Sequence, residues 1–337
     1  MRLSDFDYDL PAELIAQEPI KNREMSRLLV IRRSGGTLEH RSFSDIVELV
    51  QPGDVLVLND TRVTAKRLWG RKGSGARVEV LTLRKLGGGR YEAMVKPGRR
   101  AHVGAEIIFA AGALKAEVVG RTDFGGRILE FAPGADAESL IDELGEVPLP
   151  PYIHRLLSDR ERYQTVYARR AGSAAAPTAG LHFTPALLDK IRARGVRTAF
   201  VTLDVGIATF RPVRCENVLD HEMHSEAFWV SEESAETINS RKGRIVVVGT
   251  TTARALESAA VGKGRVAPSC GSTDLFITPG YEFKAVDALV TNFHMPRSTL
   301  LILVSALAGR DLILRAYAEA IRERYRLLSF GDAMFIE

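Results

Sequence analysis

Apolar and polar residues alternate with a period of two over 77–83 (RVEVLTL), 90–96 (RYEAMVK), 114–119 (LKAEVV) and 127–131 (RILEF), and the turns between these runs are rich in glycine. Alternation with closely spaced turns predicts a small antiparallel sheet or barrel. No convincing helical period occurs between 61 and 131. Outside that stretch the pattern changes to mixed α/β. Apolar runs at 28–31 and 54–58 predict strands around a helix near 44–50. Thr184 and Pro185 supply an N-cap and a first-turn proline, Gly195 supplies a stop, and a strand over 198–203 follows. Ser231 is expected to cap a helix ending near Gly243. The run 244–248 (RIVVV) reads as a fully buried strand leading into a helix over 250–260. Strands at 275–277 and 288–290 precede helices over 298–308 and 310–325. Strand–helix repetition predicts a largely parallel sheet or barrel, with the β segment inserted between Asp60 and Pro148.

A chain of 337 residues has room for about two domains, in keeping with that division. Its 45% hydrophobic and 26% charged residues are ordinary globular usage and exclude disordered, collagenous and coiled-coil classes. Cys215 and Cys270 are too few for a disulfide framework or a four-thiolate zinc site and suit a reducing compartment. The opening MRLSDFDYDLP carries acids where a signal peptide has a basic and then an apolar run. The longest apolar run, 299–308 (TLLILVSALA), falls well short of the roughly 20 residues of a spanning helix. A cytoplasmic protein without membrane association is therefore expected.

Charge changes the picture more. The formal net charge is +4, but 61–131 holds 15 Lys/Arg against 6 Asp/Glu, a net of +9, leaving −5 for the remainder. Such an offset points to a polyanionic partner for the inserted segment, with a solvated basic surface as the plainer alternative.

Standard nucleotide and hydrolase fingerprints are missing: there is no GxxxxGK[ST] and no GxSxG. The G-x-G-x-x-A match at 262–267 follows a helix-like stretch instead of a strand and reads as a flexible loop. Asp220-His221-Glu222-Met223-His224-Ser225-Glu226 gathers ligand-type side chains, but its spacing is HExH and not the HExxH of metalloproteases. With no clear third ligand no metal is expected, and hydrogen bonding or acid–base work by two histidines on one helix face accounts for the cluster.

Three polar clusters follow apolar strands, where ligands bind in open α/β sheets and barrels. Gly249-Thr250-Thr251-Thr252-Ala253-Arg254 is a glycine turn entering a helix, whose N-terminal N–H groups favour an anion or simply a threonine cap. Thr291-Asn292-Phe293-His294 offers donors, acceptors and an aromatic ring. Thr178-Ala179-Gly180-Leu181-His182 is a small-residue loop that permits close backbone approach to a ligand.

These residues carry a resemblance that runs from end to end. It rests on Tyr8-Asp9-Leu10-Pro11, Ser26-Arg27-Leu28-Leu29-Val30, Leu58-Asn59-Asp60-Thr61-Arg62, Leu149-Pro150-Pro151-Tyr152-Ile153, Glu161-Arg162-Tyr163-Gln164-Thr165-Val166-Tyr167, the 176–184 stretch APTAGLHFT, Val248-Gly249-Thr250-Thr251, the 291–299 stretch TNFHMPRST and Gly331-Asp332-Ala333-Met334. Together and in order they resemble the bacterial S-adenosylmethionine:tRNA ribosyltransferase-isomerase family of queuosine biosynthesis. The family usually reads Leu-His-Val-Gly-x-Gly-Thr-Phe where this chain has Leu203-Asp204-Val205-Gly206-Ile207-Ala208-Thr209-Phe210. Asp204 thus stands in place of a histidine and Ala208 in place of a glycine.

The resemblance implies an α/β barrel-like main domain, residues 1–60 and 148–337, with an inserted antiparallel β-barrel domain over 61–147. It implies transfer and isomerisation of the ribosyl part of S-adenosylmethionine, as co-substrate, onto the aminomethyl group of 7-aminomethyl-7-deazaguanine at the tRNA wobble position. Adenine and methionine leave, and epoxyqueuosine-tRNA forms. The sulfonium acidifies the adjacent 5′ carbon, departing adenine needs a proton or hydrogen bond, and the amine must be unprotonated. At least one group with a pKa near the working pH is required, and His182, Asp204, His221, His224 and His294 are the candidates. Thr178, Gly180, Thr209, Gly249, Thr250, Thr251, Arg254, Thr291, Asn292 and Phe293 are the candidate substrate-binding residues. Within them, the 249–254 turn is assigned to the methionyl carboxylate or a ribose hydroxyl, and the 291–294 loop to adenine or deazaguanine. Arg62, Lys66, Arg67, Arg99 and Arg100 are the candidate tRNA contacts, with Trp69 and Phe293 as stacking platforms. A monomer is expected. The competing readings are a non-catalytic RNA-binding protein, a nucleotide-dependent enzyme acting on free small molecules, and a diverged member with another substrate.

Overall fold

A computed structural model describes residues 1–132, 137–206, 213 and 215–337. The chain divides into two compact units, Met1–Thr61 with Pro150–Arg170 and Ala176–Glu337, and Arg62–Leu149 with Ala171–Ala175.

The first unit is built on a nine-stranded sheet. Its order is Ser269–Thr273, Glu226–Val230, Arg197–Leu203, Val55–Asn59, Ile245–Val248, Ala288–Asn292, Ala333–Ile336, Arg27–Arg32 and Thr37–Ser42. From Arg197–Leu203 to Ala288–Asn292 four neighbours run parallel. Their sequences are nearly continuous apolar runs because both faces are covered, and every residue of Val55–Asn59, Ile245–Val248 and Ala288–Asn292 is buried. On one face Leu56, Leu58, Val246, Val248 and Val290 meet Leu187, Leu188 and Ile191 of helix Pro185–Ala193. That helix starts as its sequence predicts, with the Thr184 hydroxyl accepting the Leu187 N–H at 3.1 Å.

Outside those four strands the sheet is mixed. Antiparallel pairs add Glu226–Val230 and Ser269–Thr273 at one side, and Ala333–Ile336 pairs antiparallel with Ala288–Asn292 but parallel with Arg27–Arg32. The strand order has two ends, so the expected barrel-like main domain is found as a mixed α/β sheet; closure into a barrel is not seen among the described residues. Residues 275–277 form no strand: the chain pairs earlier, at Ser269–Thr273. The 262–267 segment belongs to a hairpin joining Ala260–Gly262 to Arg265–Val266, with Gly264 at φ +70° in the turn.

The second unit contains a closed six-stranded antiparallel barrel, ordered Arg127–Phe131, Arg90–Lys96, Arg77–Gly87, Arg67–Lys72, Glu106–Phe109 and Leu114–Arg121. Alternation sends Leu68, Val78, Val80, Val95, Ile107, Phe109, Val118 and Leu129 inward. Gly70 leaves room for that filling, since a Cβ there would lie 2.7 Å from Ile107 Cγ2 and 2.9 Å from Phe109 Cε1. Helix Ala137–Leu144 adds Ile141 to this core and carries acids outward. Asp142 pairs with Lys66 at 2.9 Å and Glu138 with Lys85. Part of the segment's positive charge is therefore neutralised inside its own unit.

No helix among the described residues is long and apolar enough to cross a membrane.

Candidate active site

Each of the four parallel strands ends in polar residues at its carboxyl end. In strand order these are Asp204, then Asn59-Asp60-Thr61, then Gly249-Thr250-Thr251, then Thr291-Asn292. Parallel pairing places these ends side by side, although their residues are up to 233 positions apart in the chain.

Asn59 ties the first three ends together. Its Oδ1 accepts the Leu203 and Thr61 N–H groups, both at 3.1 Å, and its Nδ2 donates to Leu203 O at 3.0 Å and Thr251 Oγ1 at 3.3 Å. With Asn59 so fixed, the Thr61 hydroxyl donates to Asp204 Oδ1 at 2.6 Å. Burial pushes the Asp204 carboxyl above the usual range, opposed by the Thr61 hydrogen bond and the Arg170 charge and reinforced by Asp60 and Glu226. Asp60 accepts the Thr202 hydroxyl at 2.6 Å. Arg170 lies over the exposed Trp229 ring at 4.2 Å. Asn59, Asp60, Thr61 and Glu226 are polar positions that the residue-by-residue reading leaves out of the site. The first three do stand in a motif of the family resemblance, Leu58-Asn59-Asp60-Thr61-Arg62.

Gly249 makes the turn into helix Thr250–Ala259 at φ +91° and ψ 146°, a backbone region that favours glycine. Its N–H donates to Val290 O at 2.8 Å. No side chain caps this helix start, and Thr252 turns its hydroxyl back to Val248 O. Arg254, one turn on, is buried and committed inside the protein. It pairs with Glu226 and donates to Leu275 O at 3.0 Å and Thr273 O at 3.3 Å. Glu226 in turn accepts the Gly206 N–H at 2.9 Å. Arg254, expected to bind a substrate carboxylate, is thus found paired with the carboxylate that holds the Gly206 N–H.

A second group surrounds the 178–182 turn. Thr178 donates to Asn292 Oδ1 at 3.0 Å, and Asn292 Nδ2 lies 3.2 Å from His182 Nε2. His182 Nδ1 is 2.7 Å from Ser26 Oγ, which donates to Arg23 O at 3.0 Å. This chain of partners fits one tautomer, protonated at Nδ1 and accepting at Nε2. The ring also stacks on Phe43, with centroids 4.7 Å apart. Burial lowers its pKa to about 4, with the Arg23 and Arg326 charges adding to the effect. Gly180 is small for a packing reason: a Cβ there would fall 2.0 Å from the Tyr167 hydroxyl. The close approach expected for a ligand is taken by Tyr167.

His294 is likewise committed. Its Nε2 lies 3.0 Å from Thr291 Oγ1, its backbone N–H donates to Tyr317 OH at 2.8 Å, and its carbonyl accepts the Tyr8 hydroxyl at 2.6 Å. Burial pushes its pKa down to about 3. His182 and His294, expected as acid–base candidates, are placed as neutral hydrogen-bonding residues. Phe293, expected as a stacking platform, is buried edge-on against Tyr317 and Tyr325 at 5.2 and 5.8 Å.

His221 and His224 line a cleft together with Met223, Glu226, Thr251, Arg254, 275–277, Thr299, Leu300 and Leu303. Its lining combines apolar side chains with the two histidines and Thr251. The segment is not helical after Asp220, so the expected shared helix face is replaced by an extended chain. His221 packs edge-on against Phe276 at 5.3 Å, and burial and the neighbouring His224 lower its pKa. Among the described residues no three His, Cys, Asp or Glu side chains gather to hold a metal. Thr209 and Ala208 lie outside the described residues.

In the barrel unit Lys66 is paired with Asp142, and Arg67 with Glu79 at 3.0 Å. Arg62 is half-buried, whereas Arg99 and Arg100 are exposed. Trp69 is exposed and donates to Glu146 at 3.2 Å.

The family model for queuosine biosynthesis proteins matches residues 3–336. A relative from Symbiobacterium thermophilum, named S-adenosylmethionine:tRNA ribosyltransferase-isomerase, is 58% identical over 340 residues, covering 100% of each chain. A relative of the same name from Pelotomaculum thermopropionicum is 54% identical with the same coverage. A crystal structure from Thermotoga maritima, described as S-adenosylmethionine tRNA ribosyltransferase, is 41% identical, covers 99% of this chain and 100% of its own, and superposes with a TM-score of 0.56. A match this continuous, on a chain whose dispersed polar motifs meet at one end of four parallel strands, places the protein in the queuosine biosynthesis family.

Proposed function

We infer that this chain transfers and isomerises the ribosyl moiety of S-adenosylmethionine onto 7-aminomethyl-7-deazaguanine at the wobble position of tRNA, giving epoxyqueuosine-tRNA and releasing adenine and methionine. The observation that carries the reading is the full-length family match. The side-by-side ends of the four parallel strands support it, because they supply the polar site such a reaction needs.

Roles follow from the local chemistry. Asp204 is the proton acceptor: it is a half-buried carboxyl with a raised pKa, held by Thr61 and placed where the family carries a histidine. The cleft lined by His221, His224, Phe276 and Leu300 suits a purine, with apolar walls for its faces and imidazoles for its edge. Thr251 and the uncapped N–H groups after Gly249 take an anionic or hydroxyl group of the nucleoside. His182, Asn292 and Thr178 hold the adjoining turn in place, so much of the rate is expected from positioning the two substrates. Cytoplasmic action follows from a tRNA substrate, and the basic barrel unit is the proposed tRNA contact.

The test is incubation with S-adenosylmethionine and tRNA bearing the aminomethyl base, following adenine, methionine and tRNA mass together. The expected result is stoichiometric release of both small products with the matching gain in tRNA mass. Binding of this tRNA without adenine release would reject catalysis in favour of a non-catalytic RNA-binding protein.

A further inference from the structure

In the barrel unit Lys66, Arg67, Arg84, Lys85, Arg90 and Lys115 have carboxylate partners, but the exposed cations at one end of the barrel do not. Arg71 and Arg77 face each other in the register of their two strands. Arg100 donates to Arg77 O at 3.1 Å, joining the 97–103 turn to that hairpin. Lys72 Nζ lies 3.5 Å from the exposed His102. Arg71, Arg77, Lys96, Arg99, Arg100 and Arg121 are all exposed. None of these six makes an ion pair among the described residues; of the acids on the same strands Glu79 pairs with Arg67 and Glu106 with Lys115, while Glu117 is exposed.

The surface is also built, and Arg127 builds it. Its guanidinium donates to Ala101 O and to Gly98 O at 2.9 Å on one turn, and to Gly125 O at 3.0 Å and Gly126 O at 2.9 Å on the next. An arginine spent wholly on backbone carbonyls fixes two turns against each other. One presents Arg99, Arg100, His102 and the exposed Val103; the other presents the exposed Phe124, beside Asp123.

We propose that this Arg127-clasped end of the barrel is the RNA-docking surface, with Arg71, Arg77, Arg99 and Arg100 on backbone phosphates and Phe124 stacking on an unpaired base. A cluster of exposed cations, on a surface that also presents an aromatic ring, matches a single-stranded nucleic acid loop. Lys66 and Arg67 take no part, being held by Asp142 and Glu79. The proposal rests on the tRNA reading above and adds where the RNA touches.

The experiment measures tRNA affinity of the full chain between about 50 and 200 mM salt. The pair Arg99→Ala/Arg100→Ala is expected to lower the salt slope by about two and weaken binding roughly tenfold. Arg99→Lys/Arg100→Lys should keep the slope. Phe124→Ala should weaken binding roughly fivefold or more with the slope unchanged. Lys85→Ala, at a cation paired with Glu138, is the control and should change neither. In the alanine pair KM for tRNA should rise while KM for S-adenosylmethionine and turnover at saturating tRNA stay the same. An unchanged salt slope in the alanine pair, or an equal loss in the control, overturns the proposal. Adenine release by the wild-type chain is scored separately, so a failure of the surface and a failure of the activity are told apart.

Discussion

At the scale of single residues the proposed chemistry turns on Asp204. It stands at the end of a buried strand, where a carboxyl keeps its proton to higher pH than in water, and the Thr61 hydroxyl fixes which oxygen faces the protein. A proton acceptor in this position predicts that Asp204→Asn lowers turnover by about a hundredfold or more, read as adenine release. Asp204→His, restoring the residue usual in the family, should keep activity within about tenfold of the parent. Equal loss in both variants would remove Asp204 from proton transfer. The rate should also rise with pH through the raised pKa, since only the ionised carboxylate accepts. His182 and His294 illustrate the opposite case. Their sequence neighbourhoods mark them as reactive, but both rings are buried and hydrogen-bonded, and a neutral ring of low pKa holds structure better than it carries protons.

Elements set how those residues meet. The strand Glu226–Val230 and the helix Thr250–Ala259 are joined by the buried Arg254–Glu226 pair, with Thr273 and Leu275 carbonyls completing the guanidinium's partners. Arg254→Met would strand a buried carboxylate and is expected to cost about 3–5 kcal/mol, measured by urea unfolding. Replacing both partners, Arg254→Met with Glu226→Leu, should cost less than the sum of the single changes, because no lone charge remains. Additive losses would show that the pair is uncoupled. The same elements explain which parts of the site were readable. Gly249, Thr251 and Asn292 follow apolar runs and so announce themselves as strand ends. Asn59 follows one too, but its role depends on reaching Leu203 and Thr251 across two neighbouring strands, and only pairing supplies that. Phe293 follows an apolar run as well, yet its ring turns into the core between Tyr317 and Tyr325.

For the whole molecule, the buried histidines make stability depend on acid. The folded-state pKa values of about 4 for His182 and about 3 for His294 lie below the ordinary 6.5. Between those values the unfolded chain binds protons that the folded chain does not, so stability is full above about pH 6.5 and falls as the pH drops toward 4. The urea midpoint should decrease over that window with uptake of about two protons on unfolding. Ring resonances of His182 and His294 should stay in their neutral form between about pH 5.5 and 8; a midpoint near 6.5 for either would refute its burial.

The antiparallel barrel and the mixed α/β character of the rest were legible in the chain itself, because hydrophobic period is a local property: period two with glycine turns over the barrel, apolar runs alternating with capped helices elsewhere. Arg90–Lys96 and Arg127–Phe131 form with the bounds that the alternation predicts. Other features depend on partners distant in sequence. The last strand, Ala333–Ile336, gains its place between Ala288–Asn292 and Arg27–Arg32 from hydrogen bonds that no local pattern encodes. The mixed strand order of the sheet among the described residues follows from those same pairings. Which cations stay free is likewise settled by folding, since helix Ala137–Leu144 brings Asp142 and Glu138 to Lys66 and Lys85 while Arg127 gathers two turns into one charged surface. Composition sets how much charge a segment carries, but Coulomb attraction acts over ångströms in space, so the chain's path chooses the pairs.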